Sequence, residues 1–239
     1  MGTDDRLTGA QIRVGLCACF VYAVTCLGTT LAMGQSFFVL MAWNLFLAVL
    51  PLVFSQTLVA LAANPTAARW KKVVLSLMWL ASFPNAFYVT TDFIHLPNEH
   101  WTCADTSCAP SMIFYGRLMI IATGFLLSMY AGLRSLSDIH GLIASGRRRP
   151  VAWLVIAAIC FLTGIGIYIG RFLRFNSWDL LQPWRIVSEF ATRVSARGWA
   201  FIAMFTVYSL FLHCCFTLLR QGARRNTPVK GSQADSAST

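Results

Sequence analysis

Asp92 and His95 stand one helical turn apart near the end of a long apolar stretch. A carboxylate beside an imidazole orients the ring, a pairing suited to general acid–base catalysis, proton shuttling or metal ligation. In the run Pro84-Asn-Ala-Phe-Tyr-Val-Thr-Thr-Asp-Phe-Ile-His-Leu96, the polar Asn85, Tyr88, Asp92 and His95 recur at steps of three, four and three. That spacing predicts one polar face on a helix. Pro84 removes a backbone donor and should kink the helix just before the stripe begins. A metal at Asp92 and His95 would need a ligand from another helix, and Asp179 is the candidate the sequence offers. The plainer alternative pairs Asp92 with an arginine and leaves His95 among wet headgroups.

A second polar group closes another apolar run, in Gly170-Arg-Phe-Leu-Arg-Phe-Asn-Ser-Trp-Asp179. Arg171 and Arg174 share a helical face, and their planar forks suit phosphate or carboxylate. Snorkelling to lipid headgroups is the alternative for Arg174, whereas Arg171 lies deeper and is expected to pair with Asp92. Asn176 or Ser177 would cap whatever follows. Gly166 and Gly170 give a spacing that lets another helix approach closely. Asn44 and Arg117 join the group by their depth in two further apolar runs. Polar side chains at membrane depth are costly and mark a functional site by default. Asn44, Asn85, Tyr88, Arg117, Arg171, Arg174, Asn176 and Asp179 are therefore candidate ligand-binding residues, with Asp92 and His95 the candidate catalytic pair.

The elements that must position these residues follow from composition. The chain has 239 residues, 57% hydrophobic and 12% charged, with a mean hydropathy of +0.63. Soluble domains carry about 25% charged residues, so the class is an all-α, polytopic transmembrane bundle. Six runs have the length of about 20 residues that a spanning helix needs: Ile12–Met33, Phe37–Ala62, Val73–Leu96, Ser111–Leu133, Val151–Leu173 and Trp199–Leu219. The alternating strands of a barrel are absent. The first run is longer than a signal-peptide core and reads as a retained span. Residues 1–225 then form a single bundle domain, and 226–239, polar and rich in Ser and Ala, a disordered tail.

The net charge of +10 does not indicate nucleic acid, because the basic residues gather in short segments between apolar runs. With the spans above, 13 of the 19 Lys and Arg residues fall on one side. The positive-inside rule makes that side cytoplasmic, with both termini there, in the plasma (inner) membrane. Asp92, His95, Asn44, Arg117 and Arg171 would then face outward. Residues 180–197 mix Leu, Trp, Ile, Val and Phe with Arg and Glu, as an interfacial amphipathic helix anchored by Trp184 would. Cys103 and Cys108 share a polar outer loop and are a candidate disulfide. Asp138 and His140, about 30 Å from the outer group, read as interfacial residues, and His213 as a packing histidine. No lysine lies in a span, which excludes a retinal Schiff base. Nothing in the sequence specifies a cofactor, a metal or an oligomeric state.

Trp43-Asn-Leu-Phe-Leu-Ala48 with Pro51, Pro84-Asn-Ala-Phe-Tyr88 with Thr91-Asp-Phe-Ile-His-Leu96, and Gly170 through Asp179 together resemble a bacterial multi-pass family, domain of unknown function 1361. The resemblance covers roughly the second to the sixth helix. It implies the architecture and the three motifs but no activity.

Three classes of function fit these residues. The first is an outward-facing site for an anionic or lipid-linked ligand, with membrane lipids as natural partners. In an enzymatic version Arg171 and Arg174 hold phosphate while Asp92 and His95 transfer protons. The second is a small transporter or proton- or ion-coupled carrier, although only Gln56, Thr123 and Thr163 continue the polar path inward. The third is a non-catalytic structural or assembly component whose polar residues lock helices together.

Overall fold

The computed structural model of the protein describes residues 2–33, 37–96, 112–144, 149–175, 179 and 182–225. These residues are helical almost throughout, and no strand occurs among them. Helix α1 covers Gly2–Met33 and α2 covers Phe37–Ala63; α3 (Arg69–Ser82) leads into the short α4 (Pro84–Tyr88). A 3-10 segment over Val89–His95 follows, then α5 (Met112–Ile143), α6 (Arg149–Phe172), α7 (Pro183–Arg193) and α8 (Ala196–Arg225). Among the described residues five stretches are long and apolar enough to cross a membrane: Phe37–Ala63, Arg69–His95, Phe114–Ile143, Arg149–Phe172 and Ala196–Ala223. Helix α1 contributes a shorter apolar stretch, Gly15–Leu31. The protein is thus an all-helical polytopic bundle. The loop holding Cys103 and Cys108, residue Asn176 and the tail 226–239 lie outside the described residues.

The fourth run is longer than its sequence suggests. Hydropathy ends it at Leu133, yet α5 continues to Ile143 through Arg134, which is only 7% exposed. Arg134 pairs with Asp138 one turn on, at 3.3 Å. Pairing offsets part of the cost of burying either charge, so the helix remains packed past its first arginine.

The core is aromatic and aliphatic. Trp79 stacks on Phe83 at 4.8 Å between ring centres, and Phe83 meets Phe87 edge-on at 5.6 Å. Leu136, Ile156 and Ile167 pack around them with no exposed surface. Small residues bring the backbones together. A Cβ on Gly164 would lie 2.6 Å from the Ile202 carbonyl oxygen of α8, and one on Gly166 would lie 2.7 Å from the Pro84 ring. Helix α6 is therefore smoothed on two sides, toward α8 and toward the α3–α4 break.

Among the described residues the contact between α2 and α5 is the most extensive, and hydrogen bonds tie α5 to α2, α3 and α4. Ser128 Oγ donates to the Ala86 carbonyl at 2.5 Å. Trp79 Nε1 donates to Ser135 Oγ at 2.7 Å, and Ser135 Oγ donates to the Pro51 carbonyl at 2.9 Å. Ser128 and Ser135 are seven residues apart and so share a face of α5. Side-chain bonds between membrane helices average about 0.6 kcal/mol each. This seam fixes α2, α3 and α5 relative to one another, and with them the residues at their ends.

Candidate functional site

At one end of the bundle the start of α2, the 3-10 segment, the first turns of α5 and the last turn of α6 meet. Asn44 Nδ2 donates to Asp92 Oδ2 at 2.8 Å. Asp92 is 1% exposed, and its Oδ1 is buried with no hydrogen-bond partner among the described residues. Arg171 Nη2 reaches the Thr91 carbonyl at 3.3 Å, one residue before Asp92, and its charge acts on both Asp92 and His95. The His95 ring meets Phe37 edge-on at 6.1 Å, and the Arg117 guanidinium lies 6.0 Å from the centre of the same Phe37 ring. Asn44, Asp92, His95, Arg117 and Arg171 thus lie at one end of the bundle.

Their arrangement differs from the expectation in three respects. The polar stripe is not a single face. A 3-10 helix turns about 120° per residue against about 100° for an α-helix. Over the four steps from Tyr88 to Asp92 the direction therefore changes by about 80° relative to an α-helical continuation. Tyr88 consequently lies against α6, where a Cβ on Gly170 would be 3.3 Å from its ring, while Asp92 turns toward α2. Asp92 and His95, three residues apart, then eclipse each other and meet Asn44 and Phe37, which are themselves seven apart on α2. Asn85 is half-buried on α4 and makes no side-chain hydrogen bond with a described residue.

Arg171, second, does not pair directly with Asp92. It donates to a main-chain oxygen instead, and the amide of Asn44 takes the carboxylate. An amide partner requires no second buried charge, which lowers the desolvation cost of the contact. Third, Asp179 stands just ahead of α7, its carbonyl accepting the Gln182 amide at 2.8 Å. Among the described residues no three His, Cys, Asp or Glu side chains come together as a metal site would need.

Arg174, exposed just past α6, has φ of 58°. It is the one described non-glycine residue in the left-handed region, a position usually filled by glycine at helix ends. Strain of this kind costs about 1–3 kcal/mol and clusters at functional sites. The following α7 is amphipathic, with Ile186 buried and Trp184 81% exposed. Its Phe190 packs edge-on against Tyr168 and Trp199, at 5.8 and 5.7 Å. The helix expected within residues 180–197 is therefore present, with its indole pointing outward.

Sequence reasoning missed two neighbours. Phe37 gives the apolar floor shared by His95 and Arg117. Tyr22 of α1, 7% exposed, is close enough to Asp92 to interact electrostatically. A Cβ on Gly124 would lie 2.6 Å from the Tyr22 hydroxyl, so that glycine admits the phenol. Neither residue stands out by type in an apolar run.

Neither the curated proteins nor the solved structures contain a match to this chain. A family model described as "Protein of unknown function (DUF1361)" matches residues 43–212, which take in α2 from Trp43 through most of α8 and every site residue above except Phe37 and Tyr22. With more than half of its length matched, this chain belongs to the DUF1361 family.

Proposed function

We propose that the Asp92 end of the bundle binds the headgroup of an anionic, lipid-linked ligand from the outer leaflet, with both termini in the cytoplasm. The observation that carries this reading is the Oδ1 of Asp92, buried without a hydrogen-bond partner among the described residues beside a carboxylate oxygen already held by Asn44. An unsatisfied buried acceptor costs about 1–3 kcal/mol, and more for a charged group. A hydroxyl on the ligand would satisfy it. Arg171 and Arg174, neither ion-paired with a described residue, supply the charge that a phosphate would meet. The ligand class is therefore a lipid that carries both a phosphate and a hydroxyl-bearing headgroup. In a catalytic version Asp92 and His95, the latter exposed at the rim, would supply the acid–base chemistry.

A non-catalytic reading is favoured by one observation, the 1% exposure of Asp92, since a fully buried carboxylate bonded across two helices also serves as a lock. The two readings separate in nanodiscs containing either phosphatidylglycerol or phosphatidylcholine. Retention of phosphatidylglycerol, followed by native mass spectrometry, should fall at least tenfold in Arg171→Gln and in Asp92→Asn, both near-isosteric at the contacting atoms. Equal retention by wild type and both variants would leave only the lock.

A further inference from the structure

The opposite end of the bundle holds a second group of buried polar side chains. Two faces of the last turns of α5 are involved. Toward α2, Asp138 accepts hydrogen bonds from Gln56 and, at 3.4 Å, from Ser55, and it pairs with Arg134. Toward α6 and α8, His140 Nδ1 faces His213 Nε2 at 2.9 Å. The Trp153 ring of α6 packs against both imidazoles, at 4.6 and 5.7 Å between centres. His213 is fully buried, and its Nδ1 has no partner among the described residues. His140 is half-buried at the rim.

Two imidazole nitrogens at 2.9 Å form a hydrogen bond only if one proton lies between them. Whichever ring donates, the neutral pair has one bare nitrogen left, on the far side of the donor ring. One added proton can occupy that nitrogen and leave the bridge intact. A second added proton has nowhere to go except the bridging acceptor, where two N–H groups would point at each other.

The charged neighbours do not relieve that conflict. On α5, Asp138 is engaged by Arg134, Gln56 and Ser55. On α8, the charge of Arg220 acts on Asp138, and on α6 Arg149 stands exposed one turn before Trp153. The side chains from α2, Ser55 and Gln56, are uncharged.

We propose that the proton shared between His140 and His213 latches α5 to α8, that the pair takes up one further proton with the latch closed, and that a second opens it. Protons enter from the rim through His140. The site is separate from the Asp92 end, with about 32 Å of helix between Arg117 and Asp138 on α5, so neither proposal depends on the other.

The test is imidazole nitrogen NMR on the full-length protein in nanodiscs, with 15N-labelled histidine, between pH 8 and pH 5. Expected is one downfield ring proton coupled to nitrogens of two different histidines, persisting through uptake of the first proton and lost on uptake of the second. His140→Gln and His213→Gln should each remove that signal. Absence of a doubly coupled proton in the unsubstituted protein at every pH would overturn the proposal, even if neither variant folds. So would loss of that signal already on uptake of the first proton.

Discussion

Asn44→Ala should destabilise the protein more than Asp92→Ala, although the two residues share one hydrogen bond. Removing the amide leaves a carboxylate that is 1% exposed with both oxygens unpartnered. A hydrogen bond to a charged group contributes about 1.5–3 kcal/mol, and its loss here adds to the cost already borne by Oδ1. Asp92→Ala removes that cost with the carboxylate and leaves a neutral amide unsatisfied, about 1–3 kcal/mol at most. We therefore expect losses of about 3 kcal/mol for Asn44→Ala and about 1 kcal/mol for Asp92→Ala. In the double variant neither partner remains to be orphaned, so its loss should fall short of the sum by about 1–2 kcal/mol. Reversible unfolding in mixed micelles, monitored by tryptophan fluorescence, gives all three values. Additivity within about 0.3 kcal/mol, or a larger loss at Asp92 than at Asn44, would refute the assigned contact.

Ser135→Ala should cost about 2 kcal/mol, because the Trp79 indole loses its acceptor and the Pro51 carbonyl a donor in a buried seam; the same unfolding assay measures it. Gly164→Ala puts a methyl 2.6 Å from the Ile202 carbonyl oxygen, where only backbone movement makes room. A loss of about 2 kcal/mol or more is expected there, and a neutral effect would show that α6 and α8 are further apart. Arg174→Gly should raise stability by up to about 1 kcal/mol by relieving the left-handed backbone at φ 58°. It should also weaken phosphatidylglycerol retention, and a gain in both would separate Arg174 from the ligand.

The fold was legible because apolar length is a strong signal in a membrane: α2, α6 and α8 lie within a few residues of their runs. The end of α5 was not, since an arginine normally marks the interface and its partner Asp138 is a full turn further along. The site's depth was legible for Asn44, Asp92 and Arg171, because an expensive residue must be near others like it. Their partners were not. The 3-10 winding of Val89–His95 leaves no mark in residue type, yet it decides that Asp92 meets α2 while Tyr88 meets α6. The His140–His213 contact was hidden for a related reason, since a single histidine in each of two helices carries no sign of the other until the helices are packed.

Helix α5 has 32 residues, about 48 Å of rod in a hydrocarbon layer about 30 Å thick. Such a rod must lean, project, or do both, and the seam ties α2 to whatever angle it takes. A thinner bilayer would then swing Arg117 and His140 in opposite directions about a common fulcrum, making lipid chain length a variable to which both ends of the protein respond.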